Sequence, residues 1–213
     1  MIKNKYDTSK FDFKTLVEKS FGVEKLQMIR GDYSLLKRKT DQCTAHHRLF
    51  YDKVMVSDSF LSLYKNFIKE NVRPLYDNSI VVQKLPTFRV CYPNNIAVGE
   101  YHKDKWYRDR AWAEKVKELN FFLPFTRAYD TNTIWVESEE DKADYSPMNC
   151  EYGEFIQWDG SNLMHGNHIN STGKTRVSID FRVVEYKNYE PSDKGSINTD
   201  MKFKLGDYYE LYE

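Results

Sequence analysis

The chain has 213 residues, enough for one domain with a substantial core. Lysine plus arginine and aspartate plus glutamate each number 32, so the formal net charge is zero and no bulk electrostatic case exists for a nucleic-acid or membrane partner. Aromatic residues make up 15%, which argues against disorder. No apolar run approaches the roughly 20 residues of a membrane helix, and Met1 to Asp7 lacks the apolar stretch of a secretory leader. Cys43, Cys91 and Cys150 are scattered, odd in number and form no CxxC pair, which predicts free thiols and a cytoplasmic location.

No repeat, low-complexity stretch or Gly/Ser/Pro-rich linker divides the chain, so a single domain over 1–213 is expected. It reads as a mixed, partly helical support region over 1–78, a β core over 79–190 and a tail over 191–213. Phe13 to Phe21 predicts a short helix stopped by Gly22. Ser57 to Arg73 predicts a longer one: Ser57, Asp58 and Ser59 offer caps, and Phe60, Leu63, Tyr64, Phe67 and Ile68 recur at helical spacing before Asn71 and Pro74. From Ser79 the pattern turns to β. Ile80 to Val82, Thr87 to Tyr92 and Ala97 to Asp104 read as strands, punctuated by Pro86 and Pro93-Asn94-Asn95. Trp106 to Leu119 is charged and reads as helix or loop. Asn120 to Thr126, Thr133 to Glu137, Glu154 to Trp158, Asn162 to His165 and Lys174 to Glu185 are further strand candidates. The tail ends in Phe203, Leu205, Tyr208, Tyr209 and Tyr212, which predicts packing on the domain.

Lys174 to Glu185 has the clearest period of two. Thr175, Val177, Ile179, Phe181 and Val183 share one face; Arg176, Ser178, Asp180 and Arg182 share the other. This fits either an antiparallel strand with a wet outer face or a barrel strand with a polar, ligand-holding interior. Asp180 between the two arginines predicts that one of them is structural. Many short strands after a helical section predict a mainly β protein with supporting helices, either a β-sandwich or a jelly roll.

His102 and Asp104 are two apart, so in an extended segment imidazole and carboxylate project together. A distant second histidine, His165, would complete a facial two-histidine, one-carboxylate set suited to Fe(II). Arg176 follows eleven residues later and is placed to clamp a carboxylate with a bidentate guanidinium. His168 is a rival ligand to His165, and Arg182 is a rival clamp to Arg176. His46 and His47 read as surface or structural histidines, with a substrate contact as the sharper alternative.

Tyr101-His102-Lys103-Asp104, Asn120 to Thr126, Asn132 to Ser138, His165-Gly166-Asn167 with Asn170, Thr175-Arg176-Val177-Ser178 and Asp180-Phe181-Arg182 together resemble the Fe(II)/2-oxoglutarate-dependent dioxygenases. Within them the similarity is to the phytanoyl-CoA-dioxygenase-like branch, especially the small oxygenases of streptomycin-type biosynthetic clusters. It covers roughly Val90 to Val184. The resemblance implies a double-stranded β-helix, the cupin-like jelly roll. It implies His102, Asp104 and His165 as ligands of Fe(II), and Arg176 as the partner of the distal carboxylate of 2-oxoglutarate. O2 is the second co-substrate, and succinate and CO2 are the by-products. By the same resemblance Asn120, Thr133 and Trp135 contact the co-substrate or line the pocket; ordinary sheet packing is the bland alternative. Halogenating members have a small residue at the position of Asp104, so a carboxylate there implies hydroxylation or a related oxidation.

Lys103 to Lys117 is dense in charge and is expected to be either a solvated face or a lid carrying Trp106 and Trp112. A charged lid favours a small polar substrate, amino-acid-like, aminocyclitol or sugar-like. The chain is expected to act as a monomer or homodimer. Two other classes fit less of the pattern: a non-catalytic jelly-roll module binding a carbohydrate or another small ligand, and a cupin-like enzyme with a different metal, which would leave Arg176 without a role.

Overall fold

The computed structural model describes residues 1–31, 42–98, 100–196 and 201–213. In chain order the strands are β1 (Ile2–Lys5), β2 (Ile80–Gln83), β3 (Thr87–Cys91), β4 (Leu119–Pro124), β5 (Ile134–Val136), β6 (Ser146–Pro147), β7 (Glu154–Trp158), β8 (His165–Asn167), β9 (Arg176–Glu185) and β10 (Tyr209–Tyr212). The helices are α1 (Phe13–Phe21), α2 (Ala45–Leu49), α3 (Asp58–Phe67) and α4 (Arg110–Val116). The large sheet runs β1-β7-β4-β9-β2-β10, with β3 also paired to β9; the small sheet runs β6-β5-β8. All these pairings are antiparallel.

The ten-residue β9 organises the large sheet. Its first half pairs with β3 from Arg176 opposite Cys91 to Asp180 opposite Thr87. Its second half pairs with β2, and its other edge carries β4. Val177, Ile179, Phe181 and Val183 face the helical layer, where they join Phe13, Phe50, Phe60 and Phe67 in one core. The opposite face of β9, with Arg176, Ser178, Asp180 and Arg182, is buried or nearly so and turns toward the small sheet. Of the two readings of this alternation, the polar interior is therefore the observed one. The cavity between the two sheets is that of a jelly roll.

The helices form as their caps dictate. The Asp12 carboxylate accepts from the Thr15 amide at 3.0 Å, and Gly22 ends α1 in the left-handed region at φ 67°. Ser57 caps α3, accepting from the Phe60 amide. The helix expected over Ser57–Arg73 is α-helical only to Phe67; Ile68–Val72 widens into a π-helical turn and Arg73–Leu75 tightens into a 3-10 turn at Pro74.

Three expectations need correction. Ala97 to Asp104 is not a strand among its described residues (residue 99 lies outside them). Only His102 makes a ladder-type pair, and Asp104 opens a 3-10 turn ending at Tyr107. Asn162 to His165 is displaced: Asn162 sits in a turn held by Asp159, and β8 begins at His165. The support region also contributes to the large sheet, because β1 pairs with β7. At the other end, the tail supplies β10, bound to β2. Among the described residues no helix is long and apolar enough to cross a membrane, and Cys43, Cys91 and Cys150 form no disulfide.

Phe50 and Phe88 stack at 4.1 Å, both fully buried, and join the helical layer to β3. Phe50→Ala is expected to cost about 3–5 kcal/mol of unfolding free energy. Urea denaturation checks this; a loss below 1 kcal/mol would show that the stack does not carry the contact between layers.

Candidate active site

His102 and His165 face each other across an isolated antiparallel pair. Each amide donates to the other's carbonyl, at 2.9 and 3.0 Å. In such a pair both side chains rise on one side, and the imidazole centres lie 4.3 Å apart. Each Nδ1 rests against a backbone carbonyl: Glu100 at 3.0 Å for His102 and Leu163 at 2.9 Å for His165. A carbonyl only accepts, so each Nδ1 carries a proton, and Nε2 is the ring nitrogen each histidine turns toward Asp104. Both Nε2 atoms lie 3.7 Å from Oδ1 of Asp104, and the three ligand atoms fall within 4.8 Å of one another. Ligand atoms at about 2.0–2.2 Å from one ion lie about 3–3.5 Å apart, so a small contraction closes this set on a single metal.

Asp104 is steered from both sides. Its amide donates to the Gly160 carbonyl at 2.9 Å. Its Oδ2 accepts from Asn120 Nδ2 and from Arg182 Nη2, each at 2.9 Å, which leaves Oδ1 for the metal. Burial alone would favour the neutral acid, but Arg182, with Asn120, holds the carboxyl well below the usual carboxylate range. Burial pushes His165 down to about 4, so it is neutral and ligand-competent near pH 7. Trp158 meets His165 edge-on at 4.6 Å, and Tyr107 meets His102 at 5.4 Å.

The two arginines of β9 have different fates. Arg182 is committed to carboxylates: besides Asp104 it donates to Asp180 at 2.7 Å and approaches Glu118 at 3.8 Å. Asp180 is shared with Arg89 at 3.0 Å. Arg176 is only 1% exposed, donates to the Asn132 carbonyl at 3.0 Å and to Ser178 Oγ at 2.7 Å, and has no carboxylate within 4 Å among the described residues. It lines the same cavity as His102, Asp104 and His165, together with Asn120, Phe122, Ile134 and Trp158.

The remaining predicted residues divide. Asn120 lines the cavity and donates to Asp104 Oδ2. Thr133 and Trp135 do not line it. The Thr133 hydroxyl donates to the Met148 carbonyl, and Trp135 stacks on His168 at 4.4 Å while its indole N–H donates to Asp130. His168 is held there by Tyr101 at 2.9 Å and takes no part in the ligand cluster. His47 bonds Thr44, and His46 bonds Tyr92, both away from the cavity. The tryptophan lid is absent in this form: Trp112 stacks on Phe203 of the tail, and Trp106 is 56% exposed.

Sequence reasoning missed Gly160. A Cβ there would stand 2.5 Å from Asn120 Nδ2, so glycine makes room for the amide that reaches Asp104. Its only sequence signal was its place after Asp159, which reads simply as a strand stop. Trp158, Tyr107, Arg108 and Tyr208 were also missed, because each reads as packing or surface until the fold brings it to the cavity.

A two-histidine, one-carboxylate cluster is the ligand set of non-haem Fe(II) oxygenases, and His102, Asp104 and His165 form one here. The chain is 37% identical over 207 residues to the streptomycin biosynthesis protein StrG of Streptomyces griseus, covering 97% of this chain and 96% of that one; it belongs to that protein's family. No protein-family model matches it. Among solved structures it superposes on the non-haem α-ketoglutarate-dependent epimerase SnoN from nogalamycin biosynthesis. The TM-score is 0.55 at 11% identity, over 97% of this chain and 90% of that one. The non-haem monooxygenase ThoJ, in its Ni complex, gives a TM-score of 0.47 at 12% identity, over 85% of this chain and 71% of that one.

Gly160→Ala is expected to displace the Asn120 amide and weaken Mn(II) or Fe(II) binding about 10- to 100-fold, with little change in melting temperature because the obstructed group is the end of a side chain. Metal titration beside thermal melting checks this; unchanged affinity would show that the Asn120 contact does not steer Asp104.

Proposed function

We propose that this protein is an Fe(II)- and 2-oxoglutarate-dependent oxygenase that oxidises a small polar metabolite, by hydroxylation or a closely related step. The observation that carries this reading is Arg176. A fully buried guanidinium with only neutral partners is costly unless an anion joins it, and its cavity also holds the His102/Asp104/His165 set. A 2-oxo dicarboxylic acid meets both needs: its distal carboxylate matches the guanidinium, and its 2-oxo-acid end chelates a metal. Arg182 does not compete for this task, since its donors are directed at Asp104 and Asp180.

The donor set fits Fe(II): the imidazoles of His102 and His165 and the carboxylate of Asp104 would hold it, with room left for further ligands. When bound, Fe(II) with 2-oxoglutarate and O2 supplies the oxidising chemistry, with succinate and CO2 as by-products. The chain's own residues do the rest. Glu100 and Leu163 carbonyls fix the imidazole tautomers, and Asn120 and Arg182 fix Asp104. Phe122, Ile134 and Trp158 give the inner cavity apolar walls that limit water. Kinship with a streptomycin biosynthesis protein supports a biosynthetic role on a small molecule.

Succinate formation by Fe(II)-loaded protein, stimulated by a substrate from a panel of amino acids, aminocyclitols, sugars and nucleosides, is the expected outcome. Protein that neither binds nor turns over 2-oxoglutarate would end this reading. Asp104→Ala is expected to abolish substrate-coupled turnover. Arg176→Gln is expected to weaken 2-oxoglutarate binding about 30-fold or more, the scale of losing one partner of a buried charge pair, while Mn(II) binding stays intact. Calorimetry with Mn(II) in place of Fe(II) separates the two.

A further inference from the structure

The metal-ligand set stands at the junction of two lobes of one cavity. The inner lobe ends at Arg176. The outer lobe shares His102, Asp104, Arg89, Val98 and Arg182 with it, and adds Thr87, Tyr107, Arg108, Ser196 and Tyr208. If the inner lobe takes the 2-oxo acid, the outer lobe is the place left for the substrate.

The outer lobe is lined by charged side chains. Among the described residues these are three guanidiniums, from Arg89, Arg108 and Arg182, and one carboxylate, Asp104. Behind this wall, Asp180 offsets Arg89 and Arg182, and Glu118 is shared among Arg108, Arg182 and the Tyr209 hydroxyl.

Two groups in this wall have unused hydrogen-bonding capacity. Arg108 spends only Nη2, on Glu118 at 3.3 Å, and its guanidinium plane is steadied over the Phe203 ring at 4.3 Å. Tyr208 is 4% exposed, yet its hydroxyl makes no hydrogen bond among the described residues. The ring is buried, but the hydroxyl itself reaches the cavity, where a ligand can meet it. The ring is fixed by edge contacts with Phe203 and Tyr209, so the hydroxyl has a set position.

We propose that Arg108 and Tyr208 recognise an oxyanion substituent, a carboxylate or a phosphate, on the substrate in the outer lobe beside His102 and Asp104. The inference rests on the reading of the inner lobe as the 2-oxoglutarate site. It narrows the substrate class: an ammonium or guanidinium substituent at this position would meet like charge in a low-dielectric wall. The C-terminal tail thereby becomes part of substrate recognition, because it carries Tyr208 and the Phe203 ring under Arg108.

The test uses the full chain with Mn(II) and saturating 2-oxoglutarate, so that nothing turns over, and measures binding by calorimetry. The probes share one hexose frame: glucose 6-phosphate, glucuronate, glucose and glucosamine. At least one oxyanion probe is expected to bind tenfold or more tightly than glucose and glucosamine, and which one does identifies phosphate or carboxylate as the group. Arg108→Gln is expected to erase that preference while leaving glucose binding and 2-oxoglutarate binding unchanged. Arg108→Lys is expected to restore part of it. Tyr208→Phe, which keeps the ring, is expected to weaken the oxyanion probe three- to tenfold. Equal binding of all four probes, no saturable binding of either oxyanion probe, or a uniform loss for every probe in Arg108→Gln overturns the proposal. Failure of 2-oxoglutarate itself to bind, measured first, would instead strike the reading of the inner lobe.

Discussion

Two hydrogen bonds between the backbones of His102 and His165 hold this site together. They join a loop before α4 to the first residue of β8, and so place two imidazoles on one side of an antiparallel pair. The third ligand follows from a third backbone bond, Asp104 to Gly160, which turns the chain out of extended geometry directly after the pair. Between them Lys103 points the other way, its ammonium taken up by Glu140 and Asp141. The alternation of a short extended stretch is thus enough to set His102 and Asp104 apart from Lys103, without a full strand.

The buried charges around this centre obey one rule: each is paired, or is placed where a ligand will pair it. Arg89, Asp180, Arg182, Asp104, Glu118 and Arg108 form a continuous series of ion pairs from β3 across β9 to the segment before α4. Burial of such groups is tolerable because each carboxylate has a guanidinium in reach. Arg176 stands outside the series, two strand positions from Asp180 on the same strand face after Ser178, with only neutral partners. Of two arginines on one strand face, one is paired with carboxylates and the other meets only neutral groups among the described residues. The same series fixes Oδ2 of Asp104 and leaves Oδ1 facing the histidines.

Much of this was legible from residue order. The period of two in β9 named both faces correctly, and the pairing of one arginine with Asp180 was foreseeable from their spacing. The caps Ser57 and Gly22 marked helix ends because capping is local chemistry. Other elements were not legible. Ile2–Lys5 is polar and exposed on most of its length, and becomes a strand only because β7 offers an open edge. The segment at Ala97–Asp104 alternates like a strand but finds a single ladder partner. Thr133 and Trp135 lie on or beside a cavity-forming strand yet spend their polar atoms on Met148 and Asp130. Strand membership does not fix which neighbour a side chain meets.

The sequence by itself determined the ligand types, the two alternating faces of the longest strand and the ends of the main helices. Those features depend on residues within a few positions of one another, where backbone geometry alone sets direction. Only the tertiary structure decided that His165 rather than His168 meets His102 and Asp104, that Arg182 rather than Arg176 is paired with carboxylates, that Gly160 must be small, and that the C-terminal tail walls the outer lobe. Each of these depends on contacts between segments far apart in the chain, and the cost of burying a charge or orphaning a hydroxyl is set by what those segments bring.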